Sequence, residues 1–289
     1  MNMTKENGKQ TRKKRSFLSR LLRTILVLCL LVGFYWCEQN LIVTEEVEAG
    51  AVPPAFAGMR IVVISDLHGK EFGKGNEILL SKVKKLKPDL IAITGDLVHE
   101  GVPLSIIPPL AEGLSQIAPT YYVTGNHEWA THQVPEIKEL LTEGGVRVLS
   151  NEYILFKRDG QKLALLGEDD YNGPADQKTI PELAQEVRAK EGQDTYLLLL
   201  SHRNNRYKTY EEARIDLTLA GHAHGGQVRL PFTDGLIGPH REWLPEYTAG
   251  LYPLSHGEIF VSRGLSDQSP AFRLFNRPDL PLVILASAP

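Results

Sequence analysis

The stretch MRIVVISDLH, residues 59–68, joins a short apolar run to an aspartate and a histidine. The run is too short for a buried helix and is rich in branched residues, which favours a β-strand. Asp66 and His68 then stand at the carboxyl end of that strand. Carboxylate and neutral imidazole groups are common metal ligands. The stretch therefore predicts a strand that brings candidate ligands to the edge of a sheet.

Four other apolar runs are also followed by polar residues of metal-ligand type. These runs are residues 89–94, 120–124, 196–201 and 216–220, and the polar residues after them are Asp96, Asn126, His127, His202, His222 and His224. Helical patterns lie between the runs at residues 75–86, 104–117, 134–143, 180–189 and 205–213. Strands that alternate with helices predict βαβ units, a mostly parallel sheet and an α/β fold. Ligands bind beyond the carboxyl edge of such sheets, so we expect these polar groups to converge in one cleft.

The strand ends supply seven oxygen and nitrogen donors and no sulfur. The seven are Asp66, His68, Asp96, Asn126, His202, His222 and His224. Seven donors exceed the four that a tetrahedral zinc takes, and they suit two adjacent ions that share a carboxylate. Two ions about 3.5–4 Å apart can stabilise both the attacking and the leaving oxygen of a displacement at phosphorus. Ligands of this kind are compatible with Mn, Fe, Zn or Co as the divalent ion.

The N-terminal residues differ in composition from the rest of the chain. The whole chain carries a net charge of −3, to which residues 1–23 contribute +7, so residues 24–289 carry −10. The apolar run that follows the basic residues predicts a membrane segment. The predicted organisation is a basic cytoplasmic tail at 1–23, a transmembrane or signal-anchor segment at 24–40, a linker at 41–57 and one domain at 58–289.

The location of that domain follows from the same charges. An excess of Lys and Arg before a membrane segment places the N-terminus in the cytoplasm, which predicts a single-pass anchor with an extracytoplasmic domain. Export after cleavage of a signal, or a domain on the cytoplasmic face, are the alternatives. The acidic domain disfavours nucleic acid as the main partner, because attraction to phosphate needs a basic surface. No protein partner is predicted.

The ordered motifs DLH, GDL, GNHE, SH and GHAHGG resemble those of the calcineurin-like metallophosphoesterases, over about residues 60–286. The stretches GHAHGGQVRLPF and FVSRGLSDQSPAFRLFNRPDL are similar to a membrane-associated or exported bacterial branch that includes the YkuE- and YaeI-type phosphodiesterases. The resemblance implies a four-layer α/β/β/α sandwich. It also implies two divalent metal ions and a metal-bound hydroxide as the nucleophile.

The resemblance further implies a role for each motif residue. It assigns Asp66, His68 and His224 to the first metal, Asp96 to both metals, and Asn126, His202 and His222 to the second. It also implies that His127 and Asn126 contact the phosphate and that His127 protonates the leaving oxygen. Arg263, which ends the apolar run 258–262 in the shared block, is a candidate substrate contact.

Several segments allow two interpretations. The acidic turn at 168–170 lines the cleft, orders a ligand histidine or is solvated. The basic residues at 203–208 either meet an anionic group or begin a solvated helix. The loop at 231–256 is rich in apolar residues, and it either rests on a membrane to admit a lipid-linked substrate or packs on itself over the sheet edge. The remaining histidines, which include His99, His132, His240 and His256, lack a strand-end position and are expected at the surface or in supporting positions.

Three functions follow from these observations. The first is a dinuclear-metal phosphodiesterase, with manganese among the candidate ions, that acts at the membrane on a phosphodiester or lipid-linked phosphate. The second is a hydrolase of a lipid-linked pyrophosphate, such as a nucleotide-diacylsugar. The third is a non-catalytic scaffold that keeps the metal site for stability.

Overall fold

The computed structural model describes residues 3–230, 233–238, 241–266 and 273–287. It divides into one unit at residues 1–38 and a second at residues 39–289. The first unit is a single helix, α1 (Met3–Cys37). Within the described part of the chain, its segment Phe17–Tyr35 is the one that is long and apolar enough to cross a membrane, with a mean hydropathy of 2.0. A signal sequence has the same properties, so the helix fits both an anchor and a signal.

The second unit alternates strands and helices, as the sequence predicts. Its helices are α2 (Glu77–Lys85), α3 (Ile107–Ser115), α4 (Asn126–Ala130), α5 (Val134–Glu143), α6 (Ile180–Glu191) and α7 (Tyr207–Glu212). Its strands are β1 (Glu46–Val52), β2 (Arg60–Ile64), β3 (Leu90–Thr94), β4 (Thr120–Val123), β5 (Arg147–Val148), β6 (Glu152–Arg158), β7 (Gln161–Gly167), β8 (Tyr196–Arg203), β9 (Leu217–Gly221), β10 (Gly250–Pro253), β11 (Glu258–Val261) and β12 (Leu282–Ser287). All five predicted helices and all five predicted ligand-bearing strands are present.

The strands form two sheets rather than the single sheet that the alternation alone predicts. The first has the order β1-β12-β2-β3-β4-β5 and the second the order β10-β11-β9-β8-β7-β6. The centre of each sheet is parallel, through the pairs β2–β3 and β3–β4 in the first sheet and β7–β8 and β8–β9 in the second. Strands β2, β3 and β4 therefore bring their carboxyl ends to one edge, and β8 and β9 do so in the other sheet.

The two sheets pack face to face, and helices cover their outer faces. Alternate residues of β2 show this: Val63 belongs to the apolar core between the sheets, whereas Ile64 packs with α2, α3 and α5. In β8, Leu198 faces the first sheet and Leu199 packs with α6 and α7. Because both faces of each central strand are covered, these strands are apolar at nearly every position. The four-layer α/β/β/α sandwich is confirmed.

The predicted linker at 41–57 is wrong for most of its length. Residues 46–52 form β1, an edge strand that pairs in parallel with β12, and Phe56 is fully buried in the core between the sheets. The sequence of β1, EVEAGAV, does not show the apolar pattern of a strand, because only Ala49 and Val52 are buried. An edge strand with one solvated face lacks the continuous apolar run that marks the central strands.

Candidate metal centre

All seven predicted donors lie in one cluster at the carboxyl ends of the central strands. Three groups of side chains place their donor atoms within 4.8 Å of one another: Asp66, His68 and His224; His68, Asp96 and His127; and Asp96, His202 and His222. Asn126 joins the third group, since its Oδ1 lies 3.2 Å from Nε2 of His202. The convergence of these side chains in a single cleft is thus observed, with donors from both sheets.

The backbone at this cluster adopts an unusual conformation. Five of the donors have a positive φ, namely Asp66 at 51°, His68 at 49°, Asp96 at 54°, His222 at 68° and His224 at 48°. Such angles cost non-glycine residues about 1–3 kcal/mol each and persist where the surrounding structure enforces them. Backbone hydrogen bonds provide part of that enforcement, because the amide of Asp66 donates to Gly95 O and the amide of His68 donates to Asp96 O.

The first group is oriented by hydrogen bonds to groups outside it. Nδ1 of His224 lies 3.1 Å from the carbonyl oxygen of Ser266 and donates to it, which turns Nε2 toward the cluster. That Nε2 lies 3.7 Å from Oδ1 of Asp66. Ser65 Oγ donates to the other carboxylate oxygen of Asp66 at 2.5 Å. Outer hydrogen bonds of this kind are typical of metal-ligating His and carboxylate groups.

The third group surrounds Nε2 of His202. Nδ1 of His202 donates to the carbonyl oxygen of Thr94 at 2.8 Å, and Nε2 lies 3.2 Å from Oδ2 of Asp96. The same Nε2 lies 3.1 Å from Nδ1 of His222. Burial by itself lowers the pKa of His202, but the adjacent Asp96 carboxylate outweighs it and raises this pKa to about 9. The Asp96 carboxylate therefore attracts a positive charge to this position, which a metal ion would supply in place of a proton.

Unpartnered buried atoms test whether these residues fit a metal. Among the residues that the structure describes, both ring nitrogens of His68 have no hydrogen-bond partner, although this side chain is almost fully buried. An unsatisfied buried polar group costs about 1–3 kcal/mol. Burial also holds the pKa of His68 well below its usual value, so its imidazole is neutral and able to bind a cation. Oδ2 of Asp96 faces both groups, 3.8 Å from His68 Nε2 and 3.2 Å from His202 Nε2, and the donor set fits metal binding.

His127 lies at the rim of the cluster. Its backbone amide donates to Oδ1 of Asp96 at 2.9 Å, and its ring centroid lies 5.0 Å from that of His68. Its Nδ1 is 3.3 Å from Oε2 of Glu100, and 21% of its side chain is exposed. His99, expected at the surface or in support, also lies close, with its ring centroid 5.7 Å from that of His68. The rim therefore combines imidazole groups with partial access to solvent.

Glu128 supports the cluster. It belongs to the GNHE motif, but the sequence did not predict this supporting role. Its fully buried carboxylate accepts from the backbone amides of Asp96 at 2.9 Å, Leu97 at 2.7 Å and Gly125 at 2.7 Å. Burial, followed by the charge of Asp96, raises the pKa of Glu128 to about 7. Glu128 thus joins the turns after β3 and β4, which carry Asp96 and Asn126.

The acidic turn after β7 is buried, so its interpretation as a solvated turn is wrong. Asp170 accepts from Nε of Arg203 at 2.6 Å, and Nη1 of Arg203 lies 3.0 Å from Nε2 of His222. Glu168 accepts from Arg206 at 2.9 Å. Through Arg203, Asp170 fixes the ring orientation of His222, which is the ordering role that the sequence allows. The arginine pairings need tertiary structure, and no local pattern indicates them.

Arg263 and the other histidines lie in different surroundings. Nη2 of Arg263 pairs with Glu45 at 2.8 Å and with Asp279 at 3.4 Å, so a substrate contact by Arg263 stays a prediction. Nε2 of His256 lies 3.5 Å from Oδ1 of Asp216, away from the seven donors. Residues 231, 232, 239 and 240 of the predicted loop, which include His240, lie outside the described residues.

A cavity opens beside the cluster. It has a volume of about 270 Å³, and its wall includes His222, the residues that follow β8, and residues of the loop between β9 and β10. In that loop, Trp243 and Leu244 are 76% and 71% exposed. Tyr247 instead packs edge-on against Tyr207 and Tyr252. The loop therefore packs on the domain through one side and presents apolar side chains to solvent.

The chain is similar in sequence to known proteins. Residues 59–226 match the model of a family described as calcineurin-like phosphoesterase. A metallophosphoesterase of Bacillus subtilis (strain 168), YkuE, is 28% identical over 272 residues, which are 87% of this chain and 88% of the relative. The phosphodiesterase YaeI of Escherichia coli (strain K12) is 28% identical over 79% of this chain and 83% of its own. A transmembrane protein with a metallophosphoesterase domain from Bos taurus is 31% identical over 86% of this chain and 57% of its own.

We expect the Glu128→Ala substitution to destabilise the fold by about 3 kcal/mol or more, because at least three buried amides lose their acceptor at roughly 1–3 kcal/mol each. Glu139→Ala, on the exposed face of α5, is the matched control and should change stability by less than about 0.5 kcal/mol. Urea unfolding in the presence of a chelator measures both. Equal midpoints for the two variants would contradict the supporting role of Glu128.

Proposed function

The chain belongs to the calcineurin-like phosphoesterase family, and we propose that it is a two-metal phosphodiesterase that acts at a membrane surface. As a member of the family it is a metal-dependent phosphoester hydrolase. The proposal adds the number of ions, the residues that hold them, the diester substrate and the place of action. A relative named as a phosphodiesterase supports the choice of a diester.

The observation that carries the proposal is the position of Oδ2 of Asp96. This buried oxygen lies 3.8 Å from Nε2 of His68 on one side and 3.2 Å from Nε2 of His202 on the other. We assign Asp96 to two divalent ions. Asp66, His68 and His224 complete the first site, and Asn126, His202 and His222 complete the second. When bound, the ions supply the positive charge that stabilises the attacking and leaving oxygens at phosphorus.

His127 is the proposed general acid. Its backbone amide is fixed on Asp96 and its ring lies at the partly exposed rim, so the ring can meet a substrate that is held in the cluster. An imidazole can hold a proton for a leaving oxygen near neutral pH. Asn126 and His127 are neighbours in the chain and would contact the same phosphate.

Membrane action rests on two separate features. The segment Phe17–Tyr35 has the length and hydropathy of a membrane span, and the basic residues before it favour a cytoplasmic N-terminus with the domain outside. In the domain, Trp243 and Leu244 are exposed on the same loop whose residues line the cavity at His222. Large exposed apolar side chains beside a site are typical of contact with a lipid interface.

We expect Asp96→Asn to reduce kcat/KM for bis-p-nitrophenyl phosphate by more than about 100-fold, since the side chain that would hold both ions loses its charge. Metal analysis of the purified protein should show fewer than the two ions expected for the unsubstituted chain. Asp159→Asn, in the exposed turn between β6 and β7, is the control and should behave like the unsubstituted chain. Undiminished turnover by the Asp96 variant would exclude the two-metal assignment.

We expect His127→Ala to retain both ions and to lose rate most strongly with poor leaving groups, because these need a proton in the transition state. The measurement is kcat/KM for a series of aryl phosphodiesters with leaving-group pKa values that span several units. His132→Ala, an exposed histidine five residues further along the chain, is the control. A loss that is the same across the series would remove the general-acid role and leave the rest of the proposal intact.

We expect the double substitution Trp243→Ser with Leu244→Ser to lower turnover of a vesicle-borne phospholipid by about tenfold or more, because two apolar side chains lose their contact with the interface. Full-length protein in vesicles would be compared on that lipid and on bis-p-nitrophenyl phosphate, which should be hydrolysed as before. Ile78→Ser, a 47% exposed position on α2, is the control. Unchanged lipid turnover would contradict contact between the loop and the membrane.

A further inference from the structure

The cavity beside His222 has two walls that the proposed chemistry does not use. One wall follows β8 and carries Asn204, Asn205 and Tyr207, and the other belongs to the loop after β9 and carries Glu242 and Glu246. The volume of about 270 Å³ lies just below the roughly 300–1,000 Å³ of pockets that enclose a whole drug-sized ligand. A cavity of this size suits one arm of a substrate whose phosphate is held at the metal centre.

The two walls are tied together by hydrogen bonds. The buried Asn204 donates from Nδ2 to the carbonyl oxygen of Tyr247 at 2.9 Å, which joins the β8 side to the loop. The hydroxyl of Tyr207 donates to Oε2 of Glu246 at 2.7 Å. This bond to Glu246 raises the pKa of Tyr207 to about 12, so the phenol remains a donor at neutral pH. The cavity is therefore formed before any ligand enters it.

The charge of the walls is negative. Glu242 and Glu246 contribute two carboxylates. Of the described cations nearby, Arg203 is bound to Asp170 and Arg206 to Glu168, and Nζ of Lys208 lies 5.9 Å from the centroid of the Tyr207 ring. Tyr207 adds an aromatic ring to the same wall. Carboxylates and an aromatic ring together favour a cationic ligand, because both attract positive charge. A second phosphate would be repelled by the same walls, which disfavours a pyrophosphate arm here.

We infer that this cavity binds a cationic amino-alcohol arm of the substrate, such as an aminoethyl or trimethylaminoethyl group attached to the phosphate. The inference rests on the proposed phosphodiesterase function. His222 connects the two, because it lines the cavity and also belongs to the third group of candidate metal ligands, with Asp96 and His202. Glu242 and Glu246 are then specificity-determining residues, whereas the candidate metal ligands do not distinguish one arm from another.

The test compares two esters that differ only in charge. Full-length protein in detergent with Mn²⁺ is given p-nitrophenyl phosphorylcholine or its uncharged carbon isostere, 3,3-dimethylbutyl p-nitrophenyl phosphate. We expect kcat/KM to favour the choline ester by about tenfold. The double substitution Glu242→Gln with Glu246→Gln should bring this ratio close to one. Glu212→Gln, an exposed position at the end of α7, should preserve the ratio and serves as the matched control.

The outcomes separate this inference from the function on which it rests. Equal kcat/KM for the two esters in the unsubstituted chain would overturn the cavity assignment and leave a phosphodiesterase of other specificity. If no diester is hydrolysed by metal-loaded protein, the proposed function fails instead. Calorimetric titration with phosphocholine and with 3,3-dimethylbutyl phosphate then decides the cavity. Tighter binding of phosphocholine that the double variant loses would support it, and equal binding would overturn it.

A last comparison identifies the source of the cationic arm. The same arm occurs in a lipid, as in phosphatidylcholine vesicles, and in a water-soluble diester, as in glycerophosphocholine. If the unsubstituted chain hydrolyses either diester and the double variant hydrolyses that diester much more slowly, the inference is supported. The diester that is hydrolysed shows whether the substrate is membrane-borne. Turnover of both at the same rate by the double variant and the unsubstituted chain would contradict it.

Discussion

The packing of two sheets against each other is the constraint on which the rest of this protein depends, because neither sheet carries a complete set of donors. Asp66, Asp96 and Asn126 follow strands of the first sheet, whereas His202 and His222 belong to strands of the second or follow them. Sheets in contact lie about 10 Å apart, a spacing set by the apolar side chains between them. The geometry of a polar site is thus determined by the volume of leucine and valine side chains that never touch a substrate.

The site is costly for the fold to maintain. Histidines and carboxylates are buried, several of them in a left-handed backbone conformation, and some of their polar atoms have no partner among the described residues. Glu128 offsets part of this cost by accepting amides from two turns, and Arg203 with Asp170 orients one histidine ring. Ions that bind only the folded chain would add stability according to their concentration and affinity. The contacts of Glu128, Arg203 and Asp170 therefore stabilise the fold and position the candidate ligands at the same time.

The sequence predicted the centre of the fold well and its periphery poorly, for physical reasons. Central parallel strands such as β2 and β8 are covered on both faces, so they consist of short apolar runs that are visible in the sequence itself. Each ends in a polar residue, and the rule that parallel strands share an edge places those residues together. Edge strands such as β1 are solvated on one side and carry charges, so their pattern resembles a linker. The role of Arg203 depends on a partner 33 residues away, which no spacing rule anticipates.

The positive φ angles of the donors have a consequence for any attempt to move this site to another protein. At Asp66, Asp96 and His222 the main chain itself turns each side chain inward. A designer who copies only the seven side chains onto a regular sheet would reproduce the composition of the centre, but the side chains would not converge. Transplantation would have to carry the turns after the strands, together with the buried glutamate that closes two of them. This chemistry therefore depends on the conformation of a set of loops as much as on the identity of the residues they carry.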